Sequence, residues 1–242
     1  MLTQMFRNIP DVTKNLVILN VIFFLAKLVL ESQGIPLGAY LGIYYPGSDL
    51  FEPYQIITSM FMHGDFFHLL FNMFALVVFG SRLEQVWGKK RFFIFYFATG
   101  IGAALFNWVA QGVEIYQLTG ELFPAASYSD LQLYGGGVSW KGTESANEIL
   151  RIYFNGGVGA SGAVYGVLAG FALLFPNTEL QLLFPPIPIK AKWLMLFLIG
   201  GALLMAYQRN PYDNVGHFVH LGGALVGFIM IQIWKRGRNN FY

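Results

Sequence analysis

The sequence predicts an all-α polytopic membrane protein: one domain over residues 1–242, built as a six-transmembrane-helix bundle with both termini in the cytoplasm. Three observations predict it. Of 242 residues, 55% are hydrophobic and 12% charged, with a mean hydropathy of +0.52, which is more apolar surface than a soluble domain of this size can bury. Apolar runs recur six times along the chain, separated by charged, proline-rich or glycine-rich breaks. The basic residues also sort by side. Arg7, Lys14, Arg82, Lys89, Lys90, Arg91, Lys190, Lys192, Lys235, Arg236 and Arg238 fall on one side, against Lys141, Arg151 and Arg209 on the other, and the richer side is the cytoplasmic one.

The first span is expected over residues 15–30. Its one charge, Lys27, stands near the far end, where a long stem can reach the interface. The run continues long enough to span and has no small-residue cleavage site, so it is not expected to be a cleaved signal. Residues 31–65 then form an outer loop with four carboxylates and no Lys or Arg. Its amphipathic pieces, 40–45 and 54–62, are expected to lie in the outer interface. Spans two and three, 66–87 and 92–112, flank a short turn holding Lys89, Lys90 and Arg91. Residues 113–155 are polar and glycine-rich and read as an exposed outer insertion with weakly specified structure. Span four covers 156–175. The proline-dense FPPIPIK that follows cannot continue a helix, so spans five and six are placed at 192–207 and 214–234. The chain has no cysteine, which excludes disulfides and thiolate catalysis. A net charge of +2 gives no basis for nucleic-acid binding.

Polar groups inside spans are costly, so each one calls for a partner. Span two carries His68 and Asn72, four residues apart on one helical face. Span four carries Ser161, within a run where Gly162, Gly166 and Gly170 line one side; span six carries His217 and His220, followed by Gly223 and Gly227. Two such smooth faces can pack closely and bring Ser161 to His220. By counting residues at about 1.5 Å rise each, Ser161, His220, His68 and Asn72 all fall within roughly 10 Å of the outer surface. A serine hydroxyl becomes a nucleophile when a base takes its proton, and neutral imidazole is the usual base. His220 is therefore the expected base, His68, Asn72 and the N–H groups opening the fourth helix the expected oxyanion donors, and Tyr165 the ring lying against His220. With no carboxylate near these histidines in the sequence, a two-residue dyad is expected. Duller readings compete: a small residue in a packing face for Ser161, a loop position for His63 and Asp65, an ion pair or loop anchor for Arg82 and Glu84. A metal site has a thin ligand set and no H-E-x-x-H pattern, so no metal or other cofactor is expected.

These residues resemble the rhomboid intramembrane serine proteases. The resemblance rests on HGDFFHLLFN (63–72), GASGAVYG (159–166) and HLGGALVG (220–227), with GSRLEQVWG around Glu84 in further agreement. It implies that Ser161 of the G-x-S-G motif is the nucleophile, His220 of H-x-x-G-x-x-x-G the base, His68 and Asn72 the oxyanion hole and Tyr165 the stacking ring. It further implies an endopeptidase that cuts single-span membrane substrates near the outer boundary of the bilayer; the compact six-span form and the absence of an organelle-targeting pattern point to a cell (inner) membrane as the expected location. The alternatives are a non-catalytic rhomboid-like protein that binds membrane clients, which would have the dyad broken, and a transporter, which would need a polar path through the full bilayer. Two features depart from the pattern. Tyr54-Gln55 stands where many rhomboids have Trp-Arg, and residues 113–155 exceed what the simplest members need.

Overall fold

The computed structural model describes residues 9–124, 132–134, 137–139, 144–181, 187–208 and 216–236. The expected start of the last span, at 214, and the charges Arg7, Lys141, Arg209 and Arg238 lie outside them. Helix α1 is Asp11–Ser32; the outer loop after it folds into α2 (Leu37–Leu41), α3 (Gln55–Thr58) and a 3-10 turn, Ser59–Phe61. Then come α4 (Phe66–Trp87), α5 (Lys89–Thr119), α6 (Glu144–Phe154), α7 (Ser161–Leu174), α8 (Ala191–Gln208) and α9 (His217–Arg236). Two small antiparallel hairpins pair β1 (Gln132–Tyr134) with β2 (Gly137–Ser139), and β3 (Glu179–Gln181) with β4 (Pro188–Lys190). Helices α1, α4, α5, α8 and α9 are each long and apolar enough to cross a membrane.

The fourth predicted span is shorter than expected. Its helix covers Ser161–Leu174, about 21 Å at 1.5 Å per residue, against a hydrocarbon core of roughly 30 Å. The lost turn is residues 156–160, which run non-helically because backbone partners hold them there. Gly157 forms an antiparallel bridge with Ile43, at 2.8 Å in both directions, and the Gly159 N–H donates to the Ser59 carbonyl at 2.9 Å. Gly159 also has φ +135°, a conformation that favours glycine. A helix this short survives because α7 is wrapped by α4, α5 and α9, and most of its side chains are buried. Protein, rather than lipid, therefore meets its ends.

Glycines set the depth of that wrapping. A Cβ on Gly223 would stand 1.9 Å from the Gly162 carbonyl oxygen, and one on Gly227 would stand 2.9 Å from that of Gly166. Thus α9 lies backbone to backbone on α7, the close approach that the spacing predicted. On the other flank of α7, Gly162 faces Ala103 and Gly166 faces Thr99 of α5.

The end of the bundle that carries the α4–α5 turn is tied to α1 through Glu84. This carboxylate, 3% exposed, accepts from the Val12 and Thr13 N–H groups at 2.9 and 2.8 Å and from the Thr13 hydroxyl at 2.8 Å. It satisfies donors that the first turn of a helix cannot satisfy internally. Arg82 lies over the Phe175 ring instead of pairing with Glu84. Lys89 pairs with Asp11, and Trp87 packs edge-on against Trp234. Residues expected on one membrane side are in this way gathered at one end.

The described parts of the two long loops hold more helix than the sequence suggested. Helix α5 runs seven residues past the expected end at 112, closing at Gly120 with φ +77°. Its extension joins Tyr45, Ile152 and Tyr153 in a second small core around the buried Ile115. Tyr44, Tyr45, Met60 and Met62 turn inward, while Tyr40, Tyr54 and Ile57 stay exposed, so only part of the loop faces outward as expected. Gln55, 1% exposed, is its internal staple: Nε2 donates to the Leu50 and Tyr40 carbonyls at 2.9 and 3.3 Å, and Oε1 accepts from the Glu52 N–H at 3.0 Å. Where many rhomboids place arginine, a neutral amide here closes the loop on itself.

Candidate active site

Ser161 was expected about five residues down its helix; it is instead the first residue of α7. The non-helical segment 156–160, held by Ile43 and Ser59, leads directly into it. The position adds chemistry. The N–H groups of a first helical turn have no acceptor within the helix, and they carry the positive end of its dipole. The preceding Ala160 provides no side-chain cap for α7, so these donors stay available beside the Ser161 hydroxyl.

The glycine contact between α7 and α9 places His220 opposite. Its Nε2 lies 2.9 Å from Ser161 Oγ. The Tyr165 ring, one turn along α7, stacks on the His220 ring with centroids 4.1 Å apart and planes 5° from parallel. Packing on α7 thus fixes both the distance and the plane of the imidazole. His217, at the start of α9, lies edge-on with its ring centroid 6.3 Å away.

His68 approaches from α4. Its ring covers Gly159, with Nε2 and Cε1 each 2.8 Å from the point where a Gly159 Cβ would stand; Ser161 Oγ lies 3.6 Å from that same point. Any side chain at 159 would fill the gap between His68 and Ser161. The Gly64 N–H donates to His68 Nδ1 at 3.4 Å, a contact that favours the tautomer with its proton on Nε2. The backbone of α4 starts cleanly because Asp65 caps it, its Oδ1 accepting from the His68 N–H at 2.9 Å. That same N–H holds the Asp65 carboxyl below the usual carboxylate range. Asn72 is buried one turn further on, and its Nδ2 donates to the His68 carbonyl at 2.8 Å. One amide hydrogen is therefore spent within α4, and only the second is free for a ligand.

Four of the five expected site residues, Ser161, His220, Tyr165 and His68, come together around the start of α7, while Asn72, one turn past His68 on α4, has part of its donor capacity committed. Three contributors were not anticipated. Gly159 and Ser59 shape the approach to Ser161. Lys27, expected to reach for the interface, donates instead to the carbonyls of His63 and Gly64 at 2.9 and 2.7 Å. The signal for Lys27 was present, since a charge within an apolar span calls for a partner. His63 is fully buried in the turn before α4, its ring centroid 5.0 Å from that of His68. Burial, and after it the neighbouring His68, push the His63 imidazole down to about 4.

Comparison with known proteins places the chain among relatives. Rhomboid protease AarA of Providencia stuartii is 28% identical over 226 residues, covering 90% of this chain and 70% of its own length. Rhomboid protein 1, mitochondrial, of Saccharomyces cerevisiae is 30% identical over 177 residues, and the chain spans 40% of its length. Putative rhomboid protease YdcA of Bacillus subtilis is 25% identical over 188 residues, covering 76% of this chain and 71% of its own length. The Rhomboid domain model matches residues 50–236, which hold Ser161, His220, His68, Asn72 and Tyr165, and this multi-pass membrane protein therefore belongs to the rhomboid family.

Proposed function

We propose that the chain is an intramembrane serine endopeptidase working through a Ser161–His220 dyad on single-span membrane proteins, and the observation that carries this reading is the 2.9 Å contact between Ser161 Oγ and His220 Nε2 under the Tyr165 stack. Neutral His220 takes the hydroxyl proton on Nε2 as Oγ attacks the scissile carbonyl carbon. The oxyanion that forms is met by the His68 Nε2–H, the first-turn N–H groups of α7 and the remaining Asn72 N–H. His220 then returns the proton to the leaving amine, which departs with the C-terminal fragment. A water molecule enters, gives its proton to His220 and attacks the acyl carbon; as the second tetrahedral species collapses, His220 returns that proton to Ser161 Oγ, and the N-terminal fragment leaves with a new carboxyl group. No cofactor takes part in these steps.

A transmembrane helix presents no free carbonyl until it unwinds, so substrates are cut where small or helix-weakening residues reach the level of Ser161, near the outer boundary. The proposal includes both termini in the cytoplasm, α7 as a sixth, short membrane-embedded helix, and residence in a cell (inner) membrane. The non-catalytic alternative is disfavoured because it expects a broken dyad, and here Ser161 and His220 are both present and 2.9 Å apart. The test is co-expression of a single-span reporter with wild-type protein or Ser161→Ala. Wild type releases the reporter's outer fragment and the variant does not; equal release by both overturns the assignment.

A further inference from the structure

We infer that Lys27 is a positioning residue for His68: by gripping the His63–Gly64 peptide it holds the donor that selects the His68 tautomer with Nε2–H facing Ser161. This rests on the protease reading above and adds a group that neither the sequence motifs nor the matched helices α4, α7 and α9 contain.

Lys27 projects from α1 with its side chain 13% exposed. A charge placed there needs compensation. Part comes from Glu31 one turn away, at 4.0 Å. The close contacts, however, are the His63 carbonyl at 2.9 Å and the Gly64 carbonyl at 2.7 Å. The His63 carbonyl belongs to the same peptide unit as the Gly64 N–H. That N–H donates to His68 Nδ1 across 3.4 Å, a long bond that by itself selects a tautomer only weakly. An ammonium on the oxygen of a peptide draws charge through the amide and strengthens its N–H as a donor, so the bonds from Lys27 to His68 form a cooperative chain. It also fixes the orientation of that peptide, with the second carbonyl acting as a clamp. At the far end of the chain the Nε2 of His68 lies 2.8 Å from the point where a Gly159 Cβ would stand, and Ser161 Oγ lies 3.6 Å from that same point. If the Gly64 N–H turns away, Nδ1 can hold the proton, and Nε2 then turns a lone pair towards a developing oxyanion.

Three variants and one spectroscopic readout test this. Lys27→Met keeps the apolar stem and removes the charge. It is expected to lower kcat about tenfold with KM within about twofold, below the 10²–10³ that removing one oxyanion donor outright costs. Lys27→Arg, which still donates to both carbonyls, recovers most of that loss. In a His68→Ala background, Lys27→Met costs nothing further, because the two act through one donor. With only four histidines in the chain, 15N-histidine NMR of the reconstituted protein resolves His68. It shows Nδ1 unprotonated in wild type and the proton shared between both nitrogens in Lys27→Met. An equal Lys27→Met penalty with and without His68 overturns the inference, as does an unchanged His68 tautomer. A wild-type protein that cleaves no substrate defeats the protease reading instead, and the tautomer measurement still decides the Lys27 relay.

Discussion

Gly223→Ala is the smallest change that separates Ser161 from its base. The new methyl carbon would stand 1.9 Å from the Gly162 carbonyl oxygen, 2.8 Å from the carbonyl carbon and 3.2 Å from Cα. All three are backbone atoms on a buried helix, so no rotamer change relieves the overlap. To bring 1.9 Å out to ordinary contact at 3.4 Å, α9 must lift from α7 by about 1.5 Å. Ser161 adjoins Gly162, and His220 lies one turn from Gly223. The same lift stretches the 2.9 Å Ser161–His220 contact to about 4.4 Å, beyond hydrogen bonding. Loss of general-base assistance costs about 10²–10⁴ in kcat. The assay is reporter cleavage in proteoliposomes, run beside two internal standards. Gly227→Ala meets the Gly166 oxygen at 2.9 Å and should lose less; Gly201→Ala, with nothing within 4 Å, should behave as wild type. Wild-type turnover by folded Gly223→Ala would refute the reasoning that the glycine contact sets the site.

Tyr165→Phe keeps the ring that stacks on His220 and should hold kcat within about twofold, whereas Tyr165→Ala should cost about 2- to 10-fold, the worth of one aromatic stack. Glu84→Ala strands the N–H groups of Val12 and Thr13 and should destabilise by about 3 kcal/mol, read as a lower thermal unfolding midpoint. His63, held at about 4 when folded, accepts its proton later than the unfolded chain does. Its contribution is complete above pH ~6.5 and lost as pH falls towards 4, about 3 kcal/mol in all. The unfolding midpoint of His63→Gln should therefore fall less steeply over that window than that of wild type, and parallel curves would contradict the assignment.

Most of the site was legible because membrane-embedded polarity is expensive. Ser161, His220, His68 and Asn72 stood out as partner-seeking groups at related depths, Tyr165 followed from its place one turn from Ser161, and the four-residue glycine spacing announced the α7–α9 contact. What stayed hidden depends on backbone geometry that residue patterns do not encode. A run of GGVGA reads equally well as a helical packing face or as an extended segment; the pairing of Gly157 with Ile43 and of Gly159 with Ser59 decides it. Lys27 resembled a snorkelling residue because its acceptors are main-chain carbonyls 36 and 37 positions away, and any sequence supplies carbonyls. The extension of α5 and the helix Glu144–Phe154 were obscured by polar composition, since among the described residues the core they share is small, Tyr45, Ile115, Ile152 and Tyr153 with Trp108, Ile149 and Phe154 packed against it. Gln55 shows the converse. A departure from the family pattern that left the loop anchor open proves to be an anchor by another route, three hydrogen bonds from one neutral amide.

The central claim is that Ser161 is a nucleophile made reactive by His220, and covalent capture tests it most directly. Reconstituted protein is treated with a fluorophosphonate and the modified peptide is located by mass spectrometry. A single adduct on Ser161, formed by wild type and lost in His220→Ala while the fold persists, is the predicted result. An adduct elsewhere, or one on Ser161 that forms equally fast without His220, would contradict it.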